Sequence, residues 1–179
     1  ITGEIILVPV ANPIGLSQTS QGYLTGRLEK SSGKKFNRHY PDLTEAVATR
    51  VLGHLTDDEL TNVALIREAL VSAVAELQTF DEADVLRNTL MALAVDTDAC
   101  MDLHCDREAL VHVFTGTALE NRMRGLAARV GARGFLLAKE SGGNPFDEAV
   151  GAPWWCLADR FPDRPIPPAC LSGTIEYRG

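Results

Sequence analysis

From Thr44 onward the chain alternates between stretches of helical period and short apolar runs of strand length, and this limits the possible architectures more than any other feature. "TEAVATRVLGHL" (44–55) reads as a helix, and Thr56 with Glu59 three residues on reads as a capping box opening a longer one. There Leu60, Val63, Leu70, Val71, Val74 and Leu77 recur at three- and four-residue steps or their sums, the stripe of a helix lying on a core. Residues 82–95 predict a third helix. "ACMDLHC" (99–105) and "ALVHVFTG" (109–116) then read as strands, and Thr117 with Glu120 opens another capped helix. Its buried face is Leu119, Met123, Leu126 and Val130, with Gly131 as its C-cap. "RGFLLAK" (133–139) is strand-like, "KESGGNPFDEA" (139–149) a loop, "VGAPWWCLADRF" (150–161) a Pro-interrupted helix and "SGTIEYRG" (172–179) a closing strand. Strands alternating with helices predict an α/β sheet with parallel pairs.

The first quarter behaves differently. "EIILVPV" (4–10) is short, apolar and β-branched, which predicts a buried strand, and it ends in the turn signal "ANPIG". Residues 11–43 are rich in Gly, Ser, Asn and Pro and carry little periodicity, so they form a long surface excursion of the kind that is functional or disordered. At 179 residues, 45% of them hydrophobic, the chain has material for one domain with a real core. Its net charge of −7, without a basic run, argues against nucleic acid. No apolar run approaches the roughly 20 residues that span a bilayer. Cys100, Cys105, Cys156 and Cys170 show no CxxC spacing and read as reduced thiols of a cytoplasmic protein. The first residue is Ile1 and no signal-peptide pattern follows it, so the chain reads as processed or as a piece of something longer.

Candidate chemistry concentrates in a few places. In "MDLHCD" (101–106) period two puts Asp102, His104 and Asp106 on one face of a strand. A histidine at that edge, with a carboxylate to fix its tautomer, is either a metal ligand or a half-exposed structural residue. His112, on the next strand, lines the same cleft or packs. No HExxH or H-x-x-E is present; the H-x-x-D pairs at His39–Asp42 and His54–Asp57 make poor ligand pairs, because one contains Pro41 and the other straddles a helix end. Arg38 offers a planar fork for a carboxylate, with Asn37 adding a donor and an acceptor, or it is a solvated surface charge. Glu176, mid-strand between Ile175 and Tyr177, has either a partner or a task as general base. Gly142 and Gly143 shape a pocket or make a tight turn, and Trp154 and Trp155 fit a core or interface better than a substrate platform.

Taken in order, "VPVANPIGL", "FNRHYPDL", "MDLHCD" and "TIEY" resemble the succinylglutamate desuccinylase/aspartoacylase family, zinc hydrolases related to the M14 carboxypeptidases. "GRLEKSSGKKFNRHYPDL" and "KESGGNPFDEA" look most like a bacterial branch linked with arginine and ornithine transport. The resemblance implies a three-layer αβα fold with a mixed, largely parallel central sheet. It also implies one Zn2+, with His104 as a ligand, Glu176 as general base on zinc-bound water, and Asn37 and Arg38 holding the substrate carboxylate. Arg27 is the nearest match to an arginine that polarises the scissile carbonyl. In that family an H-x-x-E pair of zinc ligands precedes the "VPVANP" strand and a β-rich region follows the T-x-E strand. This chain therefore reads as part of one catalytic domain, inactive by itself, with its remaining ligands outside 1–179. The implied activity is hydrolysis of an amide bond in a small carboxylate-bearing substrate such as an N-acyl amino acid, with no nucleic acid or membrane partner and homo-oligomerisation left open. The alternative is a metal-free ligand-binding or regulatory module that keeps the carboxylate pocket.

Overall fold

The computed structural model of the chain describes residues 2–106 and 108–178. In order these form α1 (Pro13–Ser17), β1 (Thr19–Ser20), β2 (Tyr23–Leu24), α2 (Thr44–Val51), α3 (Glu59–Ala75), α4 (Glu82–Ala94), β3 (Ala99–Asp106), β4 (His112–Gly116), a 3-10 turn (Thr117–Leu119), α5 (Glu120–Arg129), β5 (Gly134–Ala138), α6 (Phe146–Arg160) and β6 (Leu171–Arg178). The main sheet has the order β3-β6-β4-β5. β3 runs parallel to β6 and β4 to β5, while β4 and β6 are antiparallel. The last strand in the sequence therefore lies between the first two of the sheet.

That insertion fixes two faces by register. Leu103, Ile175 and Val113 are aligned across three strands, and so are His104, Glu176 and His112. Because side chains alternate along a strand, the two rows point to opposite sides. Val113 and Ile175 pack with Met123 and Ala127 of α5 into a small core. The larger core lies on the other side, where α2, α3, α4 and α6 bury Val47, Ile66, Met91 and Trp154. Helices thus flank a mixed, largely parallel sheet, as expected. Gly116 faces that second layer, and its bare Cα leaves room for the Trp155 ring of α6.

Several local expectations are corrected. Residues 4–10 form no strand, and Ile5 and Leu7 are 73% and 76% exposed. A strand exists only by pairing, and among the described residues none pairs with this run. The cap of α3 is Asp58, whose carboxylate accepts from the Thr61 backbone N–H and hydroxyl, while Thr56 Oγ1 accepts from the Asp58 N–H. The buried face of α3 is Asn62, Ile66, Ala69, Leu70, Ala73 and Val74, leaving Leu60 and Val71 outside. No side-chain cap forms at Thr117, where the chain tightens into the 3-10 turn before α5. α6 starts at Phe146, inside the expected loop, and runs unbroken through Pro153. A helix-interior proline costs about 3 kcal/mol, which burial of Val150, Trp154 and Leu157 offsets. Among the described residues no helix is long and apolar enough to cross a membrane.

Candidate active site

At the carboxyl ends of β3 and β6, parallel pairing makes His104 and Glu176 neighbours, with Nδ1 of the ring 3.3 Å from Oε1 of the carboxylate. Asp102, two residues back on the same face, holds the other nitrogen at 2.8 Å. The imidazole therefore sits between two carboxylates. Its pKa is raised, by the Asp102 hydrogen bond first and by the charges of Asp102 and Glu176 as well, against the opposing effect of burial.

Asn37 joins this pair to the surface excursion. Its Nδ2 donates to Asp102 Oδ2 at 3.1 Å, and its Oδ1 accepts the Phe146 N–H at 2.9 Å, at the start of α6. Nδ2 is also 3.3 Å from His104 Nε2; with the Nε2 proton directed at Asp102, that contact is a close approach and not a hydrogen bond. Expected to grip a substrate carboxylate, Asn37 spends both polar groups on the protein. Arg38 follows, its Nη1 on the Asn37 carbonyl at 2.6 Å and its own carbonyl accepting from Nε of Arg87 at 3.0 Å. Arg87 is buried and pairs with Asp84 at 3.1 Å.

These side chains border a cleft of about 1350 Å³ that Arg38, Asp102, His104, Asp147 and Glu176 line together. Arg27 also lines it, as an exposed residue. His112 does not line it: its Nδ1 donates to the Leu110 carbonyl at 2.8 Å, and its ring meets Phe114 edge-on at 5.1 Å. Asp106 closes β3, but its side chain lies outside the described residues.

Asp147 escaped the sequence reading. It is 9% exposed in the first turn of α6, and burial first, then the Asp102 charge, pushes its pKa up to about 6. With residues 139–149 read as a loop, no helical face was assigned to Asp147; the start of α6 at Phe146 is what turns it inward. The four cysteines are free, and burial pushes the Cys100 thiol up to about 12, so it stays protonated.

A catalytic zinc takes three protein ligands and an open position. Among the described residues no group of three His, Cys, Asp or Glu side chains is set to hold a metal ion. His104 backed by Asp102 is the right kind of ligand with its orienting carboxylate. The donor type fits zinc, whereas the number of described donors does not.

Fold and cleft together define a class: an α/β protein of zinc carboxypeptidase-like shape, with a histidine–carboxylate cluster at the rim of its sheet. No protein-family model matches the chain, and no curated protein does. Solved structures do match. One is a succinylglutamate desuccinylase/aspartoacylase family protein from Shewanella amazonensis, 27% identical over 93% of this chain with a TM-score of 0.79. Another, described as a succinylglutamate desuccinylase/aspartoacylase, is from Shewanella frigidimarina, 26% identical over 93% of this chain with a TM-score of 0.75. The matches cover 46% and 45% of those chains, so this chain spans about half the length of the structures it resembles.

Proposed function

We propose that this chain carries the substrate-facing side of a zinc-dependent hydrolase that cleaves an amide bond in a small carboxylate-bearing compound, an N-acyl amino acid or similar. One observation carries the reading. Asn37, Asp102, His104 and Glu176, drawn from three distant segments, meet through contacts of 2.8–3.3 Å at one rim of the sheet. The likeness to desuccinylase/aspartoacylase proteins agrees with it.

Within this reading the residues divide the work. Arg38 presents a guanidinium to the substrate carboxylate and so orients the bond to be cut. Glu176 takes the proton of the attacking water. Asp102 fixes the ring of His104, the metal-ligand candidate, and Asn37 fixes Asp102. Arg27, at the rim, is the candidate to polarise the carbonyl. Zinc, when bound, supplies an acidified water and a polarised carbonyl.

The test uses a longer protein that carries this chain together with the remaining zinc ligands, and is hydrolysis of a panel of N-acyl amino acids with metal content measured alongside. Glu176→Gln abolishes turnover and leaves zinc content nearly unchanged, and Arg38→Ala raises KM steeply for carboxylate-bearing substrates. Retained amidase activity in Glu176→Gln removes Glu176 from the role. Carboxylate binding without turnover in the zinc-supplied wild type favours a binding module instead.

A further inference from the structure

The loop between β5 and α6 holds the Asn37–Arg38 segment from one side. Gly143 O accepts the His39 N–H at 2.6 Å, and Tyr40 and Asn144 exchange two bonds, Tyr40 N to Asn144 O at 3.1 Å and Asn144 Nδ2 to Tyr40 O at 2.8 Å. Phe146 N on Asn37 Oδ1 closes the row, and Arg87 holds the Arg38 carbonyl. His39 takes a left-handed φ of +61° within this row, the price of directing Arg38 into the cleft and Tyr40 into the core.

With its backbone fixed and its Nη1 on the Asn37 carbonyl at 2.6 Å, the stem of Arg38 between these two anchors follows a path that runs across Gly143. A Cβ on Gly143 would lie 3.0 Å from Arg38 Cδ, 3.6 Å from Nε and 3.7 Å from Cγ. Gly143 has a φ of +75°, but backbone conformation alone does not account for it. The neighbouring Gly142 has a φ of +85° and nothing within 4 Å of its Cβ position. We infer that Gly143 is a positioning residue: its bare surface carries the stem of Arg38 and sets where the guanidinium meets a carboxylate in the cleft. This rests on the carboxylate reading of Arg38.

Gly142 supplies the matched control, because alanine at either position carries the same left-handed strain and alanine at 143 alone meets Arg38. The probe is succinate, titrated by calorimetry. The second readout needs no ligand: the NMR signal of the Arg38 side-chain Nε–H, assigned by its loss in Arg38→Lys. Gly143→Ala should move that signal and weaken succinate binding about tenfold, the loss of one charge-assisted bond. Gly142→Ala should do neither, with a similar fall in Tm. Equal behaviour of the two variants, or an unmoved Arg38 signal in Gly143→Ala, overturns the inference. Should Gly143→Ala fail to fold, Gly143→Asn against Gly142→Asn repeats the comparison, since asparagine tolerates positive φ while still adding the Cβ. If succinate binds neither wild type nor Arg38→Ala, the carboxylate reading falls, and the Arg38 signal alone decides the part played by Gly143.

Discussion

Replacing Asp147 by asparagine should stabilise this protein at neutral pH, and the gain should vanish in acid. Asp147 has its pKa raised from 3.8 to about 6, by burial first and by Asp102 next. A raised carboxyl binds its proton more readily in the folded state than in the unfolded one. Folding is therefore favoured where both states are protonated, and that advantage is lost as pH climbs from about 4 through about 6. Each pH unit of separation is worth about 1.36 kcal/mol, so the full effect is roughly 3 kcal/mol. Asparagine keeps the shape and removes the charge that Asp102 repels, while its Oδ1 can still accept from the Glu148 N–H and the Thr174 hydroxyl. Urea unfolding of both proteins between pH 4.5 and 7.5 isolates the residue, because Asp58, Glu76 and Asp98, whose pKa values are lowered, are common to both. The stability difference, variant minus wild type, should grow by about 2 kcal/mol across that range. A difference that stays flat with pH would refute the argument that Asp147 ionises at a cost.

Two further changes probe how the site is mounted. At Gly116 a Cβ would lie 2.6 Å from Cη2 of Trp155, so Gly116→Ala should destabilise by about 1–3 kcal/mol; Trp155→Phe on that background should restore part of the loss, and an unchanged unfolding midpoint in the single variant would show that the ring simply shifts. On α3, Ile66 is fully buried and Leu60 is 77% exposed, so Ile66→Ala should cost about 2–5 kcal/mol and Leu60→Ala under about 0.5 kcal/mol in urea unfolding; equal costs would contradict the face assigned to that helix.

The contrast between Ile66 and Leu60 also shows what the sequence could and could not reveal. α3 is apolar on more than one side, so large residues spaced by threes and fours drew the eye to Leu60 and Val71, while the helix packs through smaller neighbours, Ala69 and Ala73. β3, β4, β5 and β6 are readable because each is a short run of strand length among stretches of helical period. The same logic failed at 4–10, since composition records an aptitude for pairing and not the presence of a partner. At the start of α3 two capping residues stand two positions apart, and the one whose carboxylate reaches both Thr61 donors wins.

The site was legible residue by residue but not as an assembly. Period two placed Asp102 and His104 on one face, yet only the insertion of β6 beside β3 brings Glu176 to the ring, and strand order is a non-local property that spacing does not encode. The decisive contacts of Asn37 span 65 and 109 positions. They also explain why an amide stands there. The position must accept from the backbone N–H of Phe146 and donate to the Asp102 carboxylate at once. Aspartate would set a second charge against Asp102, and alanine would leave the Phe146 N–H without its partner and Asp102 Oδ2 with His104 as its remaining donor. Within the Asn-Arg pair, Asn37 thus ties the excursion to the sheet rim through these two bonds, and Arg38 lines the cleft beside it.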